Sequence, residues 1–202
     1  MPNQQERTEA SRRAIVEAAI QLIGDEGYRA LTTTRIEAIT GVSRGLVSYH
    51  FGSKQGLIEA VIRHVQAAFV DHIVGLHRAE SSSGIDGVLG LVKGYLGQLL
   101  KDPRRSRVVL ILTVESIASQ PALKAAIQLL NAVLRDSLRE QLVQGQQDGS
   151  IRADLDPTTE ALVLAGILRG LTVQWLADPT VVELPRATDS VVALVNLAYK
   201  TG

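Results

Sequence analysis

The sequence predicts an all-α fold of about nine helices, an N-terminal three-helix head followed by a larger helical bundle. Three observations carry this reading. Aliphatic side chains supply most of an apolar content of 46%, and aromatics only 3%, a bias that suits helices packed on helices. Apolar residues recur at three- and four-residue spacing in segment after segment, and no alternating strand pattern extends beyond a few residues. Pro103, Pro121, Pro157 and Pro185 each fall just before or at the start of such a segment, where a missing N–H does no harm.

Taken in order, residues 9–24 place Ile15, Ala18, Ala19, Leu22 and Ile23 on one helical face, and "GDEGY" stops that helix with two glycines. A short helix follows in "LTTTRIEAITG", with Thr32 as its N-cap and Gly41 closing it. Ser43 caps a second short helix over 44–50, which "FGS" breaks. From Lys54 to about Ala79, an apolar stripe of Leu57, Ile58, Val61, Ile62, Val65, Phe69, Ile73 and Leu76 marks a long helix. "ESSSGIDG" at 80–87 reads as a linker. Beyond it, helices are expected at 85–101, 104–119, 122–147, 157–177 and 186–199, with a clear break at "QDGSIRADLDP".

Composition narrows the function. The 202-residue chain suits one large domain, or a small one joined to a larger one. Without cysteine it can form neither a disulfide framework nor a thiolate metal site. Its polar start and short apolar runs, such as "VVLIL", are expected of a soluble cytoplasmic protein that does not enter a membrane. Net charge is zero, so no global field draws the protein to nucleic acid. Locally the balance differs: Arg29, Arg35, Arg44 and Lys54 face a single acid, Glu37, between positions 29 and 54.

That basic stretch contains "GVSRGLVSYHFGSKQGL", where glycines, aromatics and basic residues crowd together. Two short helices joined by "TGVS" fit a helix–turn–helix: the glycine permits positive φ, Val42 plugs the core and Ser43 restarts the chain. The second helix of such a unit enters the major groove and uses its first residues on base edges. Arg44 is the expected reader, since a guanidinium matches guanine O6 and N7, while Gly45 permits close approach and Leu46 lies beside them. Ser43, Tyr49, His50 and Lys54 are candidate phosphate contacts, as are Thr32, Thr33 and Thr34 at the start of the preceding helix.

"GVSRGLVSYHFGSKQGLIEAVI" resembles the TetR family of bacterial transcriptional repressors, with a betaine-regulator flavour. The family pattern is met at Gly41, Val42, Ser43, Phe51, Lys54 and Leu57, and the match covers roughly residues 9–63. Farther on, "GILRGLTVQWLADP" is similar to the family's dimer-forming penultimate helix. Three positions depart from the pattern. Ser48 stands where the family often has tyrosine, Arg35 where it often has an acid, and Glu37 where it often has alanine. Arg35 is thereby an added candidate phosphate contact.

A single head of this size binds weakly, so a homodimer with recognition helices about 34 Å apart, or a multiple of that, is expected on a two-fold double-stranded operator. The candidate interface comprises Leu162, Gly166, Gly170 and Val173 with Val191, Leu194 and Val195. The resemblance implies that residues 1–52 form the DNA head and 53–202 a ligand-binding and dimerisation domain, in which a small apolar or amphipathic effector releases DNA. Candidate pocket residues are Phe69, His72, Tyr95, Glu115, Arg169, Gln174 and Trp175. Gly87, Gly90, Gly94 and Gly97 fall within about 80° on a helical wheel, which points either to a tightly packed neighbour or to space left open.

Other classes fit less well. No histidine follows an acid at the three-residue offset of carboxylate-bridged bundles, and no GxxxxGK phosphate loop occurs, so no catalytic residue, metal or cofactor is expected. His64 and His72, eight residues apart, with Asp71 or Glu80, make the best available metal set, and a poor one. A helical adaptor that keeps the head without binding DNA is the remaining alternative.

Overall fold

A computed structural model of the chain describes residues 4–80 and 83–201, and for 69–80 the backbone only. The described residues form nine α-helices: α1 Gln4–Glu26, α2 Thr33–Thr40, α3 Arg44–Phe51, α4 Lys54–Glu80, α5 Gly84–Lys101, α6 Pro103–Ala118, α7 Lys124–Asp148, α8 Pro157–Ala177 and α9 Leu184–Tyr199. Short 3₁₀ turns cover Tyr28–Ala30 and Pro121–Leu123. The first helix begins earlier than its apolar face indicates. At the expected linker over 80–87, α5 is already helical from Gly84, capped by Ser83, whose hydroxyl accepts from the Asp86 amide.

The chain divides into two compact units, one running to Ala67 and including Arg104–Gln128, the other comprising Ala68–Pro103 and Leu129–Gly202. In the first, α1 contributes Ile15, Leu22 and Ile23 to a core completed by Leu31, Ile36, Val47, Ile58 and Val61. Helix α6 joins it through Val108 and Leu112. Gly24 makes room for that approach: a Cβ there would lie 2.6 Å from the Arg104 side chain. Ion pairs edge the same contact, Arg104 to Asp25 at 3.0 Å and Arg105 to Glu17 at 3.3 Å. Such exposed pairs add about 0–1 kcal/mol each, so burial of the aliphatic face holds the unit together and the charges set its register.

The second unit buries Val88, Leu91, Val92, Leu96 and Leu99 of α5 against Leu134, Leu138 and Leu142 of α7 and apolar residues of α8 and α9. Gly84 and Gly87 permit a close approach to α7, since a Cβ would stand 2.0 Å from the Gly145 amide nitrogen and 1.8 Å from Gln141 Oε1 respectively. Nothing lies within 4 Å of a Cβ built on Gly90 or Gly97. Within the glycine stripe, Gly87 thus serves close packing, Gly94 is buried, and Gly90 and Gly97 face open space. The break at 147–157 also does more than connect. Asp148 and Ser150 accept from the α5 amides of Gly84 and Ile85, Ile151 is buried, and Asp156 caps α8 by accepting from Thr158 and Thr159.

Candidate nucleic-acid interface

Helices α2 and α3 form a capped pair packed on α1. Thr32 accepts the Arg35 amide at 3.3 Å, and Ser43 accepts the Leu46 amide at 3.4 Å. Between them Gly41 takes φ 70°, a left-handed value open to glycine at little cost, and Gly52 ends α3 at φ 69°. Only Ile36 of α2 and Val47 of α3 are fully buried. The rest of the pair is exposed or half-buried, Val42, Leu46 and Phe51 being half-buried beside these two anchors.

That surface carries most of the residues picked from the sequence. Ser43, Arg44, Gly45, Ser48 and Tyr49 are exposed along α3, Tyr49 by 80%, and Leu46 is half-buried. Thr32, Thr33 and Thr34 are exposed at the start of α2. A hollow of about 420 Å³ brings the elements together, with Thr32 and Thr33 on one side, Ser48 on another, and Ser53 and Lys54 at the N-terminus of α4. Two helix N-termini therefore open on one concavity, where free amides and hydroxyls suit a phosphate. Gly52 and Ser53 also line it, beyond the residues the sequence pattern marks. Ser53 does carry a local signal, since its hydroxyl accepts from the Gly56 amide at 3.1 Å.

Three basic candidates sit differently from their expected poses. Arg35 is held by Glu26 through two hydrogen bonds, Nη1 to Oε2 at 2.6 Å and Nη2 to Oε1 at 2.5 Å, so it braces α2 against the end of α1. The bond from Arg35 holds the Glu26 carboxyl below its ordinary pKa. Lys54 donates to the Tyr28 carbonyl at 3.3 Å and lies 4.3 Å above the Tyr28 ring; burial pulls its pKa down, against the charge of Glu115. His50 is half-buried, edge-on to Tyr49 and Phe51, with Nε2 shielded from solvent and no hydrogen-bond partner among the described residues. Arg44 projects outward, with Nε 3.1 Å from Glu37 Oε2. The local basic excess is thus partly neutralised within the fold.

The other candidates spread over both units. Tyr95 and Arg169 are half-buried in the second unit; burial lowers the Arg169 pKa, opposed by Tyr95 and reinforced by the charge of Arg135. Gln174 is exposed and Trp175 packs at the margin of that unit's core. Glu115 belongs to the first unit, on α6, where Ser119 donates to its carboxylate. The side chains of Phe69 and His72 lie outside the described residues. His64 pairs with Glu17 at 2.9 Å.

On α8, Leu162 and Val173 are exposed, and open space surrounds Gly166 and Gly170. On α9, Leu194 is exposed, whereas Val191 and Val195 turn inward and belong to the unit's own core. These two valines are therefore unavailable to a second chain, a correction to the expected interface. Val163 and Leu197, the latter 84% exposed, extend the outward patch instead. Helix α8 is also long and apolar enough to cross a membrane by length and composition, with a mean hydropathy of 1.3, a property the short-run reading overlooks.

An all-helical fold among the described residues, with a capped helix pair whose second helix faces outward, is that of the helix–turn–helix class. Residues 15–61 match "Bacterial regulatory proteins, tetR family", and residues 85–197 match "BetI-type transcriptional repressor, C-terminal". The chain belongs to the TetR family of transcriptional regulators, with a BetI-type C-terminal part, a family of DNA-binding repressors rather than enzymes. Among its relatives, the transcriptional repressor AcnR of Corynebacterium glutamicum is 25% identical over 92% of this chain and 93% of its own length. The regulator BetI of Rhizobium meliloti is 38% identical over 35% of each chain. A regulator from Saccharomonospora viridis solved with choline superposes with a TM-score of 0.84 at 21% identity, covering 96% of this chain and all of its own. FadR of Bacillus subtilis, solved with stearoyl-CoA, gives 0.80 at 19%, covering 91% and 96%.

Proposed function

We propose that the protein is a homodimeric repressor that binds a two-fold operator through α3 and leaves it when an effector binds in the C-terminal part. The observation that carries the DNA reading is the face of α3. Arg44, Gly45, Ser48 and Tyr49 point outward while a single residue, Val47, anchors the helix. Arg44 reads a base, and Ser43, Ser48 and Tyr49 with Thr32 and Thr33 clasp the backbone. The hollow that Lys54 and Ser53 share with α2 supports a phosphate seat there. In this reading 1–52 is the DNA head, 53–202 serves effector binding and dimerisation, and the protein works in the cytoplasm.

Dimerisation rests on Leu162, Val163 and Val173 of α8 with Leu194 and Leu197 of α9, apolar side chains left at the surface. The effector is a small apolar or amphipathic molecule held in the second unit near Tyr95, Arg169 and Trp175. Gel-shift titration with the DNA upstream of the protein's own gene tests the proposal. Selective binding that falls steeply with salt supports it. Equal, weak binding to every duplex overturns it.

A further inference from the structure

The side chain of Arg44 leaves the first turn of α3 into solvent, 64% exposed, and its guanidinium meets one carboxylate, that of Glu37 on α2. Nε stands 3.1 Å from Glu37 Oε2, and Glu37 is itself 39% exposed. Among the described residues Glu37 is the one group that engages Arg44. An acid on the surface of a helix–turn–helix is costly for binding, since it sits in the negative field of the phosphates. An exposed pair of this kind also adds little to folding, no more than about fivefold in the equilibrium. Stability therefore does not account for it.

The geometry gives it another use. A long arginine free in water sweeps many rotamers and finds phosphates as readily as bases. One whose Nε edge faces a carboxylate on the neighbouring helix is biased toward the helix start, and its terminal nitrogens remain for the two acceptors of a guanine edge. The carboxylate also cancels the arginine's charge toward the backbone. Both effects lower affinity for arbitrary DNA while leaving the base contact in place, so they raise the ratio of specific to non-specific binding.

Resting on the reading of α3 as the recognition helix, we infer that Glu37 is a specificity-determining residue that holds Arg44 on its base and away from phosphates. Glu37 itself touches no reacting group; it acts through Arg44 as a positioning residue.

The test begins with selection from a randomised duplex library by the wild-type protein. The enriched duplex and its single-base variants are then titrated across a range of salt with wild type, E37Q, R44A and the double variant. E37Q is expected to melt close to the wild-type temperature, because it is isosteric and removes only an ion pair at the surface. It should bind random duplex more tightly, with the slope of log affinity against log salt steeper by about 0.9, as a freed arginine takes a phosphate. Discrimination at the base pair read by Arg44 should fall by up to about fivefold, the ceiling set by an exposed pair. In the R44A background, E37Q should change neither slope nor discrimination.

Unchanged slope and discrimination in E37Q overturn the inference, as does an equal change in the R44A background. A loss confined to a neighbouring base pair overturns it too, and marks Glu37 as reading cytosine directly. If wild type enriches no sequence at all, the recognition-helix reading fails with it. If wild type selects a duplex and E37Q matches it throughout, only this inference fails.

Discussion

Glu26 and Arg35 face each other across the junction of α1 and α2 in a two-pronged pair, with both terminal guanidinium nitrogens on both carboxylate oxygens. Each guanidinium nitrogen donates to one oxygen only, Nη1 to Oε2 and Nη2 to Oε1, and this planar fork makes the match geometric as well as electrostatic. It joins α1, which carries much of the unit's core, to α2, which packs against α3.

A pH dependence follows. The bond from Arg35 lowers the Glu26 pKa below its ordinary value of 4.5. The unfolded chain therefore binds the proton first, and the pair's stabilisation is complete above about 4.5 and lost as pH falls through the lower folded value. Thermal melts from pH 7 down to pH 3 should show E26Q less stable than wild type at neutrality, with the difference closing in acid. A difference that stays constant across the series refutes the pairing.

Arg44 and Lys54 should separate cleanly in DNA binding. R44A should relax preference at one base pair, costing about 1–3 kcal/mol of discrimination. K54A should weaken every duplex alike and flatten the salt slope by about one contact. Since the amine rests against Tyr28 in the free protein, this outcome requires it to turn toward the backbone on binding. Anisotropy titrations on cognate and scrambled duplexes decide both.

Glycines of α5 should respond to alanine in opposite directions. G87A brings a methyl against Gln141 Oε1 in the core and should destabilise by about 1–3 kcal/mol. At Gly97, which is exposed with nothing near, alanine should stabilise by about 0.5–1 kcal/mol through helix propensity alone. Urea denaturation of the two variants provides the comparison.

For the outward patch on α8 and α9, a charge at Leu162 or Leu197 should yield a folded monomer by sedimentation, since each side chain is exposed in the single chain. V195D should instead unfold the protein, because that valine is 2% exposed in the core. Dimers persisting in both surface variants would move the interface elsewhere.

The sequence by itself determined the helices, the caps of α2 and α3, and the helix–turn–helix. These depend on contacts three or four residues apart, as with Thr32 and the Arg35 amide or Ser43 and the Leu46 amide, so the chain spells them locally. Outward placement of Arg44, Ser48 and Tyr49 was legible for the same reason: one short amphipathic helix has one apolar anchor. Tertiary structure alone decided which partner each side chain meets. Val191 and Val195 turn inward while Leu194 and Leu197 turn outward, yet all four are equally apolar. Arg35 is committed to Glu26, Arg44 faces Glu37, and α6 joins the first unit. Partners distant in sequence are chosen by packing, and apolar periodicity marks a face without naming what will cover it.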